Sequence, residues 1–141
     1  MDQKEQSCME RKTINPETLF NSVQFGFSQA AVSSPGKLVF LSGQVAWDEN
    51  MNIVGENSLE LQTKKALDNL ITAVESAGGT KENIMMLRIY IVDYQQEDGK
   101  IISSILTQNF GTKNPPASTW ISVKGLASED FKIEIEAQAV I

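Results

Sequence analysis

Residues Pro116–Ile141 read PASTWISVKGLASEDFKIEIEAQAVI, and this stretch decides the fold. From Ala117 to Val123 the residues alternate, with Thr119, Ile121 and Val123 on one face and Ser118, Trp120 and Ser122 on the other. After the loop Lys124–Asp130, Phe131, Ile133, Ile135, Ala137 and Ala139 share one face, and Lys132, Glu134, Glu136 and Gln138 share the other. Successive side chains of a strand point to opposite sheet faces, so each segment reads as a strand with one apolar and one polar side. Paired antiparallel, the two would make a core wall on one side. The other side would carry carboxylates, hydroxyls and a tryptophan, and a functional site is expected there.

Working back along the chain, Gly111–Pro116 is turn chemistry, preceded by a helical pattern over Glu97–Phe110 with Ile101, Ile105 and Phe110 among its apolar positions. Ile84–Asp93 (IMMLRIYIVD) is apolar on both faces and reads as a central strand. Its one cation, Arg88, shares a face with Tyr90. A buried arginine needs a carboxylate or a ligand, and Glu134 or Glu136 are the protein partners within reach of that face. Leu59, Thr63, Ala66, Leu67, Leu70, Val74 and Ala77 recur at helical spacing after an N-cap at Asn57 or Ser58 and before Gly78-Gly79. Phe25–Val32 and Lys37–Trp47 flank the turn Ser33-Ser-Pro-Gly36 and read as a hairpin. Ser42-Gly43-Gln44 interrupts the second of these strands, marking a bulge or a close approach by a ligand or another backbone.

The order β, β, helix, β, helix, β, β predicts an α+β domain with both helices on one face of a mixed sheet. The uncovered face, bearing Arg88, Tyr90 and Trp120, invites closure by further copies of the chain. The 141 residues suit one domain, expected over 13–141 after a flexible tail at 1–12 that contains Cys8. That single cysteine, the polar N-terminus and the lack of a long apolar run fit a cytoplasmic protein outside the membrane. A net charge of −6 argues against nucleic-acid partners. There is no histidine, which excludes imidazole acid–base chemistry, Ser-His-Asp triads and histidine-ligated zinc. No cofactor or metal site is expected.

Five segments resemble, in order and spacing, the Rid/YjgF family of reactive-intermediate deaminases. Phe25-Gly-Phe-Ser-Gln-Ala30 is similar to its Gly-Pro-Tyr-Ser-Gln-Ala opening, and Leu41-Ser-Gly-Gln44 to its Ser-Gly-Gln strand. Gln62–Gly78, around Ala66-Leu-Asp-Asn-Leu70, is similar to its first helix. Pro116-Ala-Ser-Thr119 stands where the family has Pro-Ala-Arg-Ser, and Lys132-Ile-Glu-Ile-Glu-Ala137 is similar to its closing strand. The resemblance implies a chorismate-mutase-like fold and homotrimers. It further implies clefts between subunits in which enamines and imines such as 2-iminobutanoate and 2-iminopropanoate are hydrolysed without a cofactor. It gives Glu134 the role of positioning a water, and it makes Phe27, Ser42, Gly43, Gln44, Ser118 and Trp120 candidate cleft residues. This chain departs at three contact positions: Ser118 replaces the carboxylate-gripping arginine, Phe27 a tyrosine and Trp120 a cysteine. It resembles an arginine-lacking subgroup. A serine lacks the guanidinium fork, and losing such a charge-assisted contact costs about 1.5–3 kcal/mol. The expectation is therefore a trimer that binds or hydrolyses a small metabolite other than the usual 2-imino acids, with Arg88 and Tyr90 as further candidate ligand contacts. The alternatives are an ordinary imine deaminase and a non-catalytic binding or regulatory protein.

Overall fold

The computed structural model describes residues 11–141. Within that range the elements are β1 (Lys12–Ile14), β2 (Ala30–Val32), β3 (Leu38–Gln44), α1 (Leu59–Ser76), β4 (Ile84–Val92), α2 (Gln96–Phe110), β5 (Ala117–Val123) and β6 (Ile133–Val140), with short 3-10 turns at Val23–Phe25 and Lys81–Asn83. The main sheet has the order β3-β6-β4-β5, and β1 with β2 makes a separate two-stranded ribbon. β6 runs antiparallel to both β3 and β4, whereas β5 runs parallel to β4. The sheet is mixed, and α1 and α2 pack on one face of it, as the element order predicts.

The core follows from the alternation. Leu87, Ile89 and Ile91 of β4 and Ile133, Ile135, Ala137 and Ala139 of β6 point at the helices and are almost wholly buried. They meet Ala66, Leu67, Leu70 and Val74 of α1 and Ile102, Ile105 and Leu106 of α2. Burying one such aliphatic side chain is worth about 1.5–3 kcal/mol, so this layer dominates stability. Ser58 caps α1 by accepting the Leu61 N–H at 3.2 Å. Gly78, at φ 100°, ends it with the left-handed residue that a branched side chain disfavours.

Two strand pairings differ from the sequence reading. The closing strands are not partners, because β4 lies between them and takes β5 in parallel on one side and β6 antiparallel on the other. A strand as apolar on both faces as β4 suits the middle of a sheet, and the long loop 124–132 lets β6 cross to its far edge. The Phe25–Val32/Lys37–Trp47 hairpin is also absent: in the first segment the strand is confined to Ala30–Val32, which pairs with Lys12–Ile14, while β3 in the second pairs with β6. Gly26 sits at φ 90° just after the 3-10 turn, and a left-handed residue there breaks the extended run. Arg11 and Lys12, placed in the tail by their polarity, are held. The Arg11 guanidinium donates to the carbonyls of Asn114, Glu82 and Ile84 and lies 5.9 Å from the Phe110 ring centroid. Burial pushes its pKa down, with Glu82 opposing. Cys8 and Met9 lie outside the described residues.

A polar residue missed by the apolar stripe organises one loop. Gln62 of α1 is fully buried, donates to the Asp130 carbonyl at 2.9 Å and accepts the Lys132 N–H at 2.8 Å. Its two-ended amide clamps the turn that feeds β6, a role periodicity counts as a polar intrusion.

Candidate functional site

β5 sets the geometry. Its parallel register places Trp120 opposite Ile89 and Ser118 opposite Leu87, both core-facing residues. Ser118, Trp120 and Ser122 therefore face the helices, while Thr119, Ile121 and Val123 share the open face with Glu134 and Glu136. The sequence reading had these sets reversed. At the sheet edge a large ring fills the gap beneath α2 that Leu or Ile would leave open, and Trp120 packs there against the core. Its Nε1 donates to Ser118 Oγ at 3.1 Å, so its one polar group is satisfied within the strand.

Above Trp120 lies a groove of about 700 Å³ along α2, walled by Phe25, Phe27, Tyr94 and Trp120, with Ser103, Ser104 and Thr107 on its helical side. Two glycines shape it. At Gly99, in the first turns of α2, a Cβ would stand 2.5 Å from the Tyr94 hydroxyl, so its absence gives that ring its place. At Gly26 a Cβ would lie 2.9 Å from Leu106 Cβ and 3.1 Å from the Thr107 nitrogen, so only glycine lets the Phe25–Phe27 turn close onto α2. Phe20 supports Phe27 edge-on, with centroids 6.1 Å apart.

A second hollow, of about 730 Å³, opens at the β3 bulge and is lined by Gly43, Gln44, Trp47, Asp48, Lys65 and Glu134, among others. Pairing of β3 with β6 shifts register between Leu41 and Gln44, as the interruption at Ser42-Gly43 predicts. The bulge and the close approach are one feature. A Cβ on Gly43 would be 2.7 Å from Glu134 Oε1, so the glycine makes room for that carboxylate. Gln44 folds back, its Nε2 donating to the Ser42 carbonyl at 3.1 Å. Asp48 is committed to its own turn: it accepts the N–H groups of Asn50 and Asn52 at 2.9 Å each, and these bonds hold its carboxyl below the usual range. With Asp48 so engaged, Glu134, and at the hollow's margin Glu49, are the lining carboxylates left to meet a ligand or a water.

Arg88 and Tyr90 belong to neither hollow. On the open face, Arg88 Nη1 donates to Glu136 Oε1 at 3.1 Å and the Tyr90 hydroxyl donates to the same oxygen. The Tyr90 bond, then the Arg88 bond, hold the Glu136 carboxyl below its ordinary value. In return, the carboxylate raises the pKa of both donors. Arg88 has thus found one of the carboxylates expected for it, and its guanidinium is not offered to the groove. Around this triad Phe40 and Leu38 remain 72% and 68% exposed.

The candidate residues fall into three places: Phe27 and Trp120 line the groove, with Ser118 behind them as the acceptor of the indole N–H; Ser42, Gly43, Gln44 and Glu134 are at the bulge; and Arg88 and Tyr90 are at the sheet centre. Sequence reasoning missed Tyr94, Gly99, Lys100 and the Ser103–Thr107 face of α2. One signal was available: a glycine inside a helical pattern costs about 1 kcal/mol against alanine and needs a packing reason. Among the described residues no cluster of three or more His, Cys, Asp or Glu side chains could hold a metal, and no helix is long and apolar enough to cross a membrane.

A two-helix layer on one face of a mixed sheet, with two open hollows beside it, defines an α+β domain with room for small ligands. The family model described as Endoribonuclease L-PSP matches residues 21–141. A RutC family protein of Synechocystis is 32% identical over 112 residues, covering 79% of this chain and 83% of its own. A Rid family protein of Yersinia pestis, itself of unknown function, superposes with a TM-score of 0.90 at 37% identity over 94% of this chain and all of its own. The E. coli protein TdcF, solved with bound serine, gives a TM-score of 0.65 at 28% identity, covering 77% of this chain and 84% of its own. The chain belongs to the Rid/YjgF family.

Proposed function

We propose that the protein assembles as a trimer and binds, or hydrolyses, a small metabolite in clefts between subunits, and that this metabolite is not one of the usual 2-imino acids. The observation that carries the reading is the Ser118–Trp120 pair. Where the family's arginine would grip a carboxylate, a serine hydroxyl instead accepts the N–H of an indole, and the indole fills the neighbouring space. Arg88 does not substitute, because Glu136 and Tyr90 hold it on the other face of the sheet.

The placement of Glu134 supports a cleft built from two copies. Glu134 lies on the open face and Trp120 on the helix face, so one chain does not bring them together. A cleft using both takes its apolar wall from one copy and its carboxylate from the next. The exposed Phe40 and Leu38 give a second copy apolar surface to bury. In such a cleft Glu134, backed by Gly43, would orient a water or accept a ligand N–H.

Sedimentation equilibrium tests the assembly on which the reading depends. A mass near three chains of 15.5 kDa is expected, and a monomer at micromolar concentration would overturn the subunit cleft.

A further inference from the structure

The groove along α2 carries a ligand class of its own. Its walls are aromatic on three sides: Phe25 and Phe27 from the turn, Tyr94 from the loop just before α2 and Trp120 from β5. The volume of about 700 Å³ lies within the range of about 300–1,000 Å³ usual for small-ligand pockets. Trp120 presents its ring without a free donor, since Ser118 has taken its N–H. A ligand that seats here is therefore met by ring faces, with offset-stacked or edge-on contacts favoured.

Formal charge in the groove comes from a single residue. Lys100 is the one formally charged residue lining the groove, one position after the glycine that admits Tyr94. It is exposed, and the two ion pairs among the described residues, Lys64–Glu60 and Arg88–Glu136, leave it unpaired. The hydroxyls of Ser103, Ser104 and Thr107 line the same helix and add neutral hydrogen-bonding capacity without an opposing charge. Apolar walls, one exposed cation and no acid in the lining are complementary to a flat aromatic ring bearing a single negative charge.

We infer that this groove binds a small aromatic monoanion, with Phe27 and Trp120 holding the ring and Lys100 taking the anionic group. This deepens the proposed function, on which it rests, by assigning the ligand class of the cleft's apolar wall. It also moves anion recognition from strand β5, where the family's arginine would stand, to helix α2.

Isothermal titration of the intact assembled protein with three probes tests it: phenylpyruvate, pyruvate and phenylacetamide. Phenylpyruvate is expected to bind at least about tenfold more tightly than pyruvate, because the ring supplies the buried apolar surface. Lys100→Met should weaken phenylpyruvate by about tenfold, the scale of losing one charge-assisted contact in a half-open site, and leave the neutral phenylacetamide within about twofold. Ser104→Phe, at an exposed helix position, should fill the groove and abolish binding of both aromatic probes while circular dichroism and sedimentation stay unchanged. The inference is overturned if pyruvate binds as well as phenylpyruvate, if Lys100→Met costs both aromatic probes equally, if Ser104→Phe binds like the wild type, or if no probe binds. Its failure is separable from failure of the cleft. A trimer whose ligand ignores Ser104→Phe loses the groove and keeps the subunit cleft, whereas a monomer with Ser104-sensitive phenylpyruvate binding does the reverse.

Discussion

Gly26→Ala strikes the point where the sequence shapes the groove. The added Cβ meets Leu106 Cβ at 2.9 Å and the Thr107 nitrogen and Oγ1 at 3.1 Å, on a helix whose core side is fixed by Ile102, Ile105 and Leu106. Backbone and a β-carbon cannot swing aside as the end of a long side chain does, so overpacking should cost about 1–3 kcal/mol. The position also sits at φ 90°, and an L-residue in the left-handed region adds about 1–2 kcal/mol. Together these give roughly 2–5 kcal/mol. For a chain of 141 residues the unfolding entropy is about 0.3 kcal/mol/K, so the melting temperature should fall by about 7–17 °C at equal chain concentration. Gly78→Ala separates the two causes. It has a similar φ of 100°, but its nearest neighbour is Ile141 Cδ1 at an ordinary 3.8 Å, so it should lose only the backbone part, about 1–2 kcal/mol. In a Trp47→Phe background the emission of Trp120 should shift in Gly26→Ala, because the Phe25–Phe27 wall lifts away, and stay unchanged in Gly78→Ala. Equal melting points for the two alanine variants, with unaltered Trp120 emission, would refute the close packing of that turn on α2.

Gln62→Leu should destabilise by about 2–4 kcal/mol, because the Asp130 carbonyl and the Lys132 N–H lose their buried partner; chemical denaturation would measure it, and a change under about 0.5 kcal/mol would contradict the clamp. Glu136→Gln tests the open-face triad through pH. The folded-state pKa of Glu136 is depressed, so its contribution is present above the ordinary glutamate value of about 4.3 and is lost as pH falls through the lower folded value. That acid-limb loss of melting temperature should flatten in the variant. Tyr90 is raised, so its contribution is present below about 10 and lost as pH rises above that; ultraviolet titration should show its phenol ionising at lower pH in Glu136→Gln than in the wild type. An unshifted titration would contradict the shared oxygen. RNA incubated with nuclease-free, chelator-treated protein should remain intact, as the charge of −6 and the absence of histidine imply, and progressive cleavage would contradict that reading.

Much of this fold was legible because period and punctuation agreed. The β6 alternation, the stripe on α1, its cap at Ser58 and its end at Gly78 each stand where the sequence puts them. So does the bulge at Gly43, and Arg88 takes one of its two expected carboxylates. What failed was pairing, which no local pattern carries. Alternation in Ala117–Val123 separates two sets of side chains but does not say which set faces the helices. That depends on the parallel register with β4, where Ile89 stands opposite Trp120. Hydrophobicity alone points Ile121 and Val123 inward, whereas at this sheet edge the larger ring takes the inner place. The groove was hidden for a related reason, since Phe25, Gly26, Gly99 and Lys100 meet only once the Phe25–Phe27 turn docks on α2.

The central claim, that the cleft of this family has been rebuilt for a different ligand, is tested most directly by the hydrolysis of freshly generated 2-iminopropanoate. The wild type and Ser118→Arg should be compared at equal chain concentration. The account predicts that the wild-type protein leaves the rate at that of buffer, because Ser118 is bound to Trp120 and Arg88 to Glu136. Wild-type acceleration well above buffer would contradict it and make this an ordinary imine deaminase with another carboxylate anchor.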